Sequence, residues 1–171
     1  MDQMWSPWRS EYVAEAADRT PSEEGPSLFT RLANADDDEK HLILWRGELV
    51  FVILNLHPYN NGHLLIVPYR EVAAYTDLSA EEQQAIAAAI DRCIEWQRRA
   101  FSPDGFNVGM NLGVAAGAGI PEHLHVHVVP RWSGDTNFMS TTGNVRVIPQ
   151  DVQETYEALQ QAIDSSDASG S

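Results

Sequence analysis

Residues 123–128 alternate strictly between histidine and an aliphatic residue, in the run His-Leu-His-Val-His-Val. Successive side chains of a β-strand point to opposite faces of the sheet, so a period of two is typical of a strand. We therefore predict a strand over 123–129 with His123, His125 and His127 on one surface. The aliphatic residues between them would fill the opposite face, and neighbouring imidazoles would stand roughly 7 Å apart.

The rest of the chain predicts further strands and one long helix. Ser79 followed by Glu82 fits a capping box, and the apolar spacing after it predicts a helix over about 79–100. Together these features indicate an α+β fold, an antiparallel sheet with one long helix packed on it. The remaining predicted elements are two β runs that meet near Arg46-Gly47, strands over 63–69 and 105–112, and a second helix over roughly 150–163.

At 171 residues the chain is of a size typical of a single domain. Residues 1–27 are predicted to be an N-terminal arm, 28–163 the catalytic domain and 164–171 a disordered tail. The arm is acidic and rich in proline and glycine over 14–27, but its aromatic start is too apolar to remain in water. We expect that start to pack on the body or on a second subunit.

Charge and hydropathy exclude several classes of partner. The chain carries 11 Lys+Arg against 25 Asp+Glu, a net charge of −14, which would repel a long polyanion such as duplex DNA. The longest continuous apolar run, 49–54, is far shorter than a membrane span requires. Cys93 is the single cysteine, and the first residues lack the pattern of a secretion signal. We therefore expect a cytoplasmic protein with neither a membrane nor a nucleic-acid partner.

Three histidines on one surface allow two kinds of chemistry. Neutral imidazoles are good zinc ligands, and three of them with a water form a catalytic metal site. Alternatively, one neutral imidazole attacks phosphorus while a neighbouring group sets its tautomer and orientation. The spacing alone leaves both alternatives open.

The run HLHVHVV matches the His-x-His-x-His-x-x signature of the histidine triad family, in which each x is apolar. The segment FVILNLHPYNNGHLLIVPYR resembles the upstream hairpin of that family, and GFNVGMNLG resembles the strand that faces the phosphates. The resemblance covers about residues 42–132. The segments MWSPWRSEYVAEA and EHLHVHVVPRWSGDTNF are similar to the bacterial branch that includes diadenosine tetraphosphate phosphorylases.

The resemblance implies roles for individual residues. His125 would be the nucleophile that takes the nucleotidyl group as a phosphoramidate. His127, the third histidine of the run, would contact phosphate oxygens and assist proton transfer, and His123, the first, would be a catalytic histidine that supports the site through the hydrogen-bond network around it. The substrate-binding residues implied are Asn55 at the ribose, His63 in the hydrogen-bond network around the site, and Asn111, Gly117, Gly119 and Arg131 around the phosphates.

Two departures from the family pattern bear on ligands. Relatives commonly place Ser or Gln four residues before the first histidine, where this chain has Gly119. Some bacterial relatives also bind structural zinc through a Cys-x-x-Cys pair, and the equivalent stretch here is Ser27-Leu28-Phe29-Thr30. We therefore expect no tightly bound cofactor and no structural zinc, with Mg²⁺ accompanying the substrate at most.

The function implied is cleavage of an adenine dinucleoside polyphosphate through an adenylyl-His125 intermediate. Phosphorolysis of diadenosine tetraphosphate to ADP and ATP, with orthophosphate as the second partner, is the first hypothesis. A hydrolase that releases AMP, a nucleotide-binding or sensing protein with little turnover, and a histidine-ligated metalloenzyme are the alternatives. The family also implies a homodimer whose sheets join, and a tetramer stays open.

Overall fold

A computed structural model describes residues 25–135 and 151–169, and within them a five-stranded antiparallel sheet. The strands lie in the order β1-β2-β3-β5-β4, so β1–β3 form a meander and β5 inserts between β3 and the edge strand β4. This confirms the predicted α+β class. The strands are β1 (Ile43–Arg46), β2 (Val50–Leu54), β3 (Leu64–Pro68), β4 (Gly105–Met110) and β5 (Val126–Arg131).

The main core lies between one face of the sheet and two helices, α2 (Ala80–Phe101) and α3 (Val152–Ser169). The capping box predicted for α2 is present, because Ser79 Oγ accepts from the Glu82 N–H and the Glu82 carboxylate accepts from the Ser79 N–H. Both helices contribute apolar side chains to a layer over the central strands. That layer includes Ile86, Cys93 and Trp96 of α2, Tyr156 and Leu159 of α3, and Val52, Ile66, Val126 and Val128 of the sheet.

A smaller apolar layer covers the opposite face of the sheet. There a short helix, α1 (Leu28–Ala33), sets Phe29 against Phe51, Leu65 and neighbouring residues of β1–β3. Helix α1 is not predicted from the sequence, because six residues form fewer than two turns and show no clear period. Every residue of β2 and β3 is buried, as expected for strands covered on both faces.

Two predicted boundaries differ from the structure by three residues or more. Strand pairing of β5 begins at Val126 rather than at residue 123, so His123 and His125 lie in the segment that leads into the strand. Helix α3 continues to Ser169, past the predicted start of a tail at 164, and the Ser165 and Ser166 hydroxyls donate to carbonyls one turn back.

The aromatic part of the proposed arm lies outside the described residues, and the division into three segments stays a prediction. The described residues contain no helix with the length and apolar character that crossing a bilayer would require.

Candidate active site

The histidine run lies on the face of the sheet that α1 covers. His127 pairs across from Leu65 of β3, a member of the smaller apolar layer, and from Gly109 of β4. Phe29 of α1 contacts His123 and His125, with ring centroids 5.6 and 5.1 Å apart. The predicted clustering of the three histidines on one surface therefore holds, although only His127 belongs to the paired strand.

His125 is held as a neutral imidazole with one defined tautomer. Its Nδ1 lies 2.9 Å from the backbone carbonyl of His123, which can only accept, so Nδ1 carries the proton and donates. Nε2 consequently keeps its lone pair. The ring is 7% exposed, and burial lowers its pKa below the usual value, while the hydrogen bond to the carbonyl acts in the opposite direction. At neutral pH the ring therefore presents a nucleophilic nitrogen.

A chain of hydrogen bonds sets the tautomer of His127. The Tyr59 N–H and the Asn55 amide nitrogen both donate to Nδ1 of His63, at 3.0 and 3.2 Å. The orientation of that amide follows from its oxygen, which accepts the His57 N–H. His63 must then carry its proton on Nε2, which donates to Nδ1 of His127 at 2.9 Å. His127 is thereby left with its proton on Nε2.

The Nε2–H of His127 is a donor without a partner among the described residues. The ring is 9% exposed, and its centroid lies 5.0 Å from that of His125. Burial, assisted by the charge of protonated His125, lowers the pKa of His127 to about 4. A buried donor with no partner is costly, so this one points to a ligand oxygen that would complete it.

His63 and His123 are held within the protein by hydrogen bonds. Both rings are fully buried, and each has both nitrogens engaged. In His123, Nε2 donates to the Pro68 carbonyl at 2.8 Å and Nδ1 accepts from the Ser27 hydroxyl at 2.6 Å. The hydrogen bonds of His63 agree with the place that the resemblance gives it in the network around the site, and its contact with a substrate stays a prediction.

Tyr59 is a site residue that the sequence analysis missed. Its ring stacks on His127 with a centroid distance of 5.5 Å and an interplanar angle of 24°, and it also lies 4.8 Å from His63. Its hydroxyl accepts a long hydrogen bond of 3.4 Å from Asn111, which brings the predicted phosphate residue to the rim of the site. The sequence presents Tyr59 as part of a turn-rich PYNNG segment, so only its neighbours in space identify it.

The small-residue loop before the histidines contains a 3₁₀ turn over Val114–Ala116. Gly117 closes this turn with φ at +89°, a left-handed conformation that favours glycine, and its N–H donates to the Val114 carbonyl. That N–H is therefore committed to the loop, which argues against Gly117 as a phosphate donor. A phosphate contact by the backbone of Gly119 stays a prediction.

Arg131, at the end of β5, is hydrogen-bonded to two other side chains. Its guanidinium donates to both carboxylate oxygens of Asp135, at 2.6 and 2.7 Å, and to the side-chain oxygen of Asn107 at 2.7 Å. The predicted role as a phosphate ligand is not favoured by this geometry, because each guanidinium nitrogen already has an acceptor. The nearby Asp135 explains the difference, and sequence spacing alone could not show that pairing.

Metal chemistry finds little support in the donor set. Among residues 25–135 and 151–169, no group of three or more His, Cys, Asp or Glu side chains is placed to hold a metal ion. Of the six nitrogens on the three histidines of the run, four are already hydrogen-bonded to protein atoms. A metal site that uses all three rings would require His123 to give up one of its two hydrogen bonds, and His127 to lose the proton on Nε2.

Comparisons with known proteins place these features in a family context. Residues 37–134 match the model of the HIT domain. The chain is 43% identical over 162 residues to a Mycobacterium tuberculosis protein named AP-4-A phosphorylase, covering 93% of this chain and 83% of that protein. It is 32% identical over 93 residues to the asymmetrical bis(5'-nucleosyl)-tetraphosphatase of Schizosaccharomyces pombe, over 54% of this chain and 50% of that one.

Solved structures share the fold. A zinc-bound histidine triad family protein from Mycobacterium smegmatis superposes with a TM-score of 0.63 and 25% identity, over 93% of this chain and 96% of that chain. Plasmodium falciparum diadenosine triphosphate hydrolase, solved with cyclomarin A, gives a TM-score of 0.62 at 16% identity, over 94% and 99%. The second similarity shows the fold alone.

Proposed function

The chain belongs to the HIT domain family, and on that premise we propose that it cleaves diadenosine tetraphosphate by phosphorolysis, releasing ADP and ATP. The relative named AP-4-A phosphorylase matches nearly the whole chain, whereas the tetraphosphatase matches about half of it. This difference favours orthophosphate over water as the acceptor.

One observation carries the mechanism, the hydrogen bond from Nδ1 of His125 to the His123 carbonyl. It leaves the lone pair on Nε2 of a neutral ring, which is the form that attacks phosphorus. Because burial lowers the pKa of His125, the ring stays neutral at physiological pH. No proton has to leave the nucleophile before attack.

The first step forms a bond between Nε2 of His125 and the α-phosphorus of one adenosine moiety. The bond from that phosphorus to its bridging oxygen breaks, and ATP leaves. The Nε2–H of His127 is directed to a ligand oxygen and stabilises the charge that develops there, since its tautomer is already fixed through His63. The product of this step is an adenylyl-His125 phosphoramidate.

In the second step an oxygen of orthophosphate attacks the same phosphorus, and the bond to Nε2 breaks. ADP is released and His125 returns to its neutral form. Attack by water would give AMP instead. The first products, ADP or AMP, therefore identify the acceptor as phosphate or water. This identification does not depend on detecting the covalent intermediate.

The experiment that tests the covalent step compares the wild-type chain with His125→Asn. Each is mixed with diadenosine tetraphosphate in phosphate-free buffer, quenched within one turnover and weighed by intact mass spectrometry. We expect one adenylyl group on the wild type and none on the variant, whose turnover should fall at least ~10³-fold with nucleotide binding retained. Equal turnover by His125→Asn would contradict the mechanism.

We also propose that the protein is a homodimer joined through β4. This strand is the edge of the sheet, and Asn107, Val108 and Gly109 in it are exposed, with Val108 at 44%. An edge strand with unpaired backbone groups is suited to continuing the sheet into a second copy. Light scattering on the wild type and on Val108→Asp tests this, since the variant should shift the mass toward the monomer.

A further inference from the structure

We propose that α1 and the Glu71–Val72 segment form a clamp on His123, and that Ser27 is a positioning residue for the nucleophile His125. Ser27 and α1 precede residues 37–134, which match the family model. The clamp therefore adds to the site a part that lies outside the matched domain. The inference rests on the proposed role of His125.

The need for a clamp follows from where strand pairing begins. Ladder pairing of β5 starts at Val126, so the sheet does not fix the His123 carbonyl that receives the His125 proton. Close to it, the Leu124 N–H donates to the Val72 carbonyl at 2.7 Å. Among the described residues, the His123 N–H donates to the Ile120 carbonyl, and the remaining hydrogen bonds to residue 123 involve its side chain or its own carbonyl.

The His123 ring is hydrogen-bonded at both of its nitrogens. The Pro68 carbonyl accepts from Nε2, so Nδ1 is the acceptor nitrogen, and the Ser27 hydroxyl donates to it at 2.6 Å. Ser27 is 1% exposed, and its oxygen also accepts the Thr30 N–H as the N-cap of α1. One hydroxyl thus begins the helix and fixes the imidazole.

Glu71 holds Ser27 in place. Its Oε2 accepts the Ser27 N–H at 2.9 Å and the Thr30 hydroxyl at 2.7 Å. These two bonds connect the first turn of α1 to Glu71. The carbonyl of the next residue, Val72, accepts the Leu124 N–H. Hydrogen bonds therefore join three segments into one unit: helix α1, residues 71–72 and residues 123–124. Phe29 of the same helix also contacts the His123 and His125 rings.

Loss of the Ser27 hydroxyl should affect kcat more than KM. Without the Ser27 hydroxyl, Nδ1 of His123 becomes a buried acceptor without its donor, and the ring and its backbone carbonyl lose their fixed place. His125 then no longer has a single preferred tautomer. Loss of one buried hydrogen bond corresponds to a reduction of about 3- to 10-fold, which we expect in kcat with KM little changed.

The test uses Ser27→Ala and Ser27→Gly in the full chain, with Ser79→Ala as the matched control. Glycine at an N-cap costs only a few tenths of a kcal/mol, so Ser27→Gly removes the hydroxyl while α1 is retained. Ser79 is also an N-cap serine, but its hydroxyl binds Glu82 at the start of α2. Thermal melts, kcat and KM for diadenosine tetraphosphate, and long-range ¹H–¹⁵N spectra of the imidazoles are recorded for each.

We expect the wild type and Ser79→Ala to show His125 protonated on Nδ1, and both Ser27 variants to show His125 nitrogens averaged between two tautomers. A Ser27→Gly chain that melts like Ser79→Ala and keeps the His125 tautomer and kcat of the wild type would overturn the proposal. The spectra decide this even for a chain that does not cleave the dinucleotide, so failure of the proposed function is seen separately.

Discussion

Nε2 of His63 lies 2.9 Å from Nδ1 of His127, and both rings are buried. Because Nδ1 of His63 accepts two hydrogen bonds, this contact fixes the proton of His127 on Nε2. A fully buried histidine therefore determines which nitrogen of another histidine carries the proton.

The first prediction concerns a variant that lacks the hydrogen bond from His63 to His127. In His63→Phe the ring keeps a similar shape but cannot donate, so Nδ1 of His127 loses its partner and the donor on Nε2 is no longer fixed. We expect kcat to fall about 10-fold or more, as for loss of one oriented donor, with a smaller change in KM. His57→Phe, an exposed histidine of the same loop, is the control and should retain kcat. Equal rates for the two variants would contradict the relay.

The second prediction concerns stability against pH. Burial holds the pKa of His127 at about 4, below the usual 6.5, so between these values the unfolded chain binds more protons than the folded one. Stability is then fully present above pH 6.5 and is lost as the pH falls toward 4, by on the order of 3 kcal/mol from this group. Urea unfolding at several pH values measures the slope of the free energy of unfolding against pH. His127→Gln should have a shallower slope, and an unchanged slope would contradict the assignment.

The third prediction concerns Arg131. Since its guanidinium is held by Asp135 and Asn107, Arg131→Ala should change KM for phosphate less than about 3-fold. The free energy of unfolding should fall by about 1 kcal/mol or less, as for a partly exposed ion pair. Steady-state kinetics with varied phosphate and a urea titration provide the two numbers. A large rise in KM for phosphate at unchanged stability would restore the role first predicted from sequence.

The fourth prediction is that the purified protein holds no stoichiometric zinc. Ser27 and Thr30 stand at the two positions that the resemblance assigns to the Cys-x-x-Cys pair of some bacterial relatives, and the Ser27 hydroxyl is hydrogen-bonded to Nδ1 of His123. Elemental analysis of protein expressed in zinc-containing medium should therefore find far less than one zinc per chain. One tightly held zinc whose removal abolishes activity would instead support the metalloenzyme alternative.

The fold and the main histidines were accessible from sequence because their signals are local. The alternation around His125 and the capping box at Ser79 each lie within a few residues. The strand start was wrong by three residues, since side-chain alternation continues through an extended segment that has no pairing partner. Helix α1 is too short to show a recognisable spacing of apolar residues.

The supporting residues were not accessible, because their partners are distant in the chain. Ser27 meets a residue 96 positions away, and Glu71 meets Ser27 across 44. Arg131 likewise meets Asn107 across 24 positions, although its other acceptor, Asp135, is only four residues away. The resemblance supplied the site residues as a set, and only the contacts separate those facing a ligand from those that hold them.

The measurement that tests the central claim most directly is the fate of labelled phosphate. Diadenosine tetraphosphate is incubated with the wild-type chain and millimolar ¹⁸O-phosphate, and the first products are identified by mass spectrometry. Attack of phosphate on adenylyl-His125 predicts ADP with the label in its β-phosphate, together with unlabelled ATP. AMP and ATP as the first products, with no labelled ADP, would contradict phosphorolysis and make the chain a hydrolase.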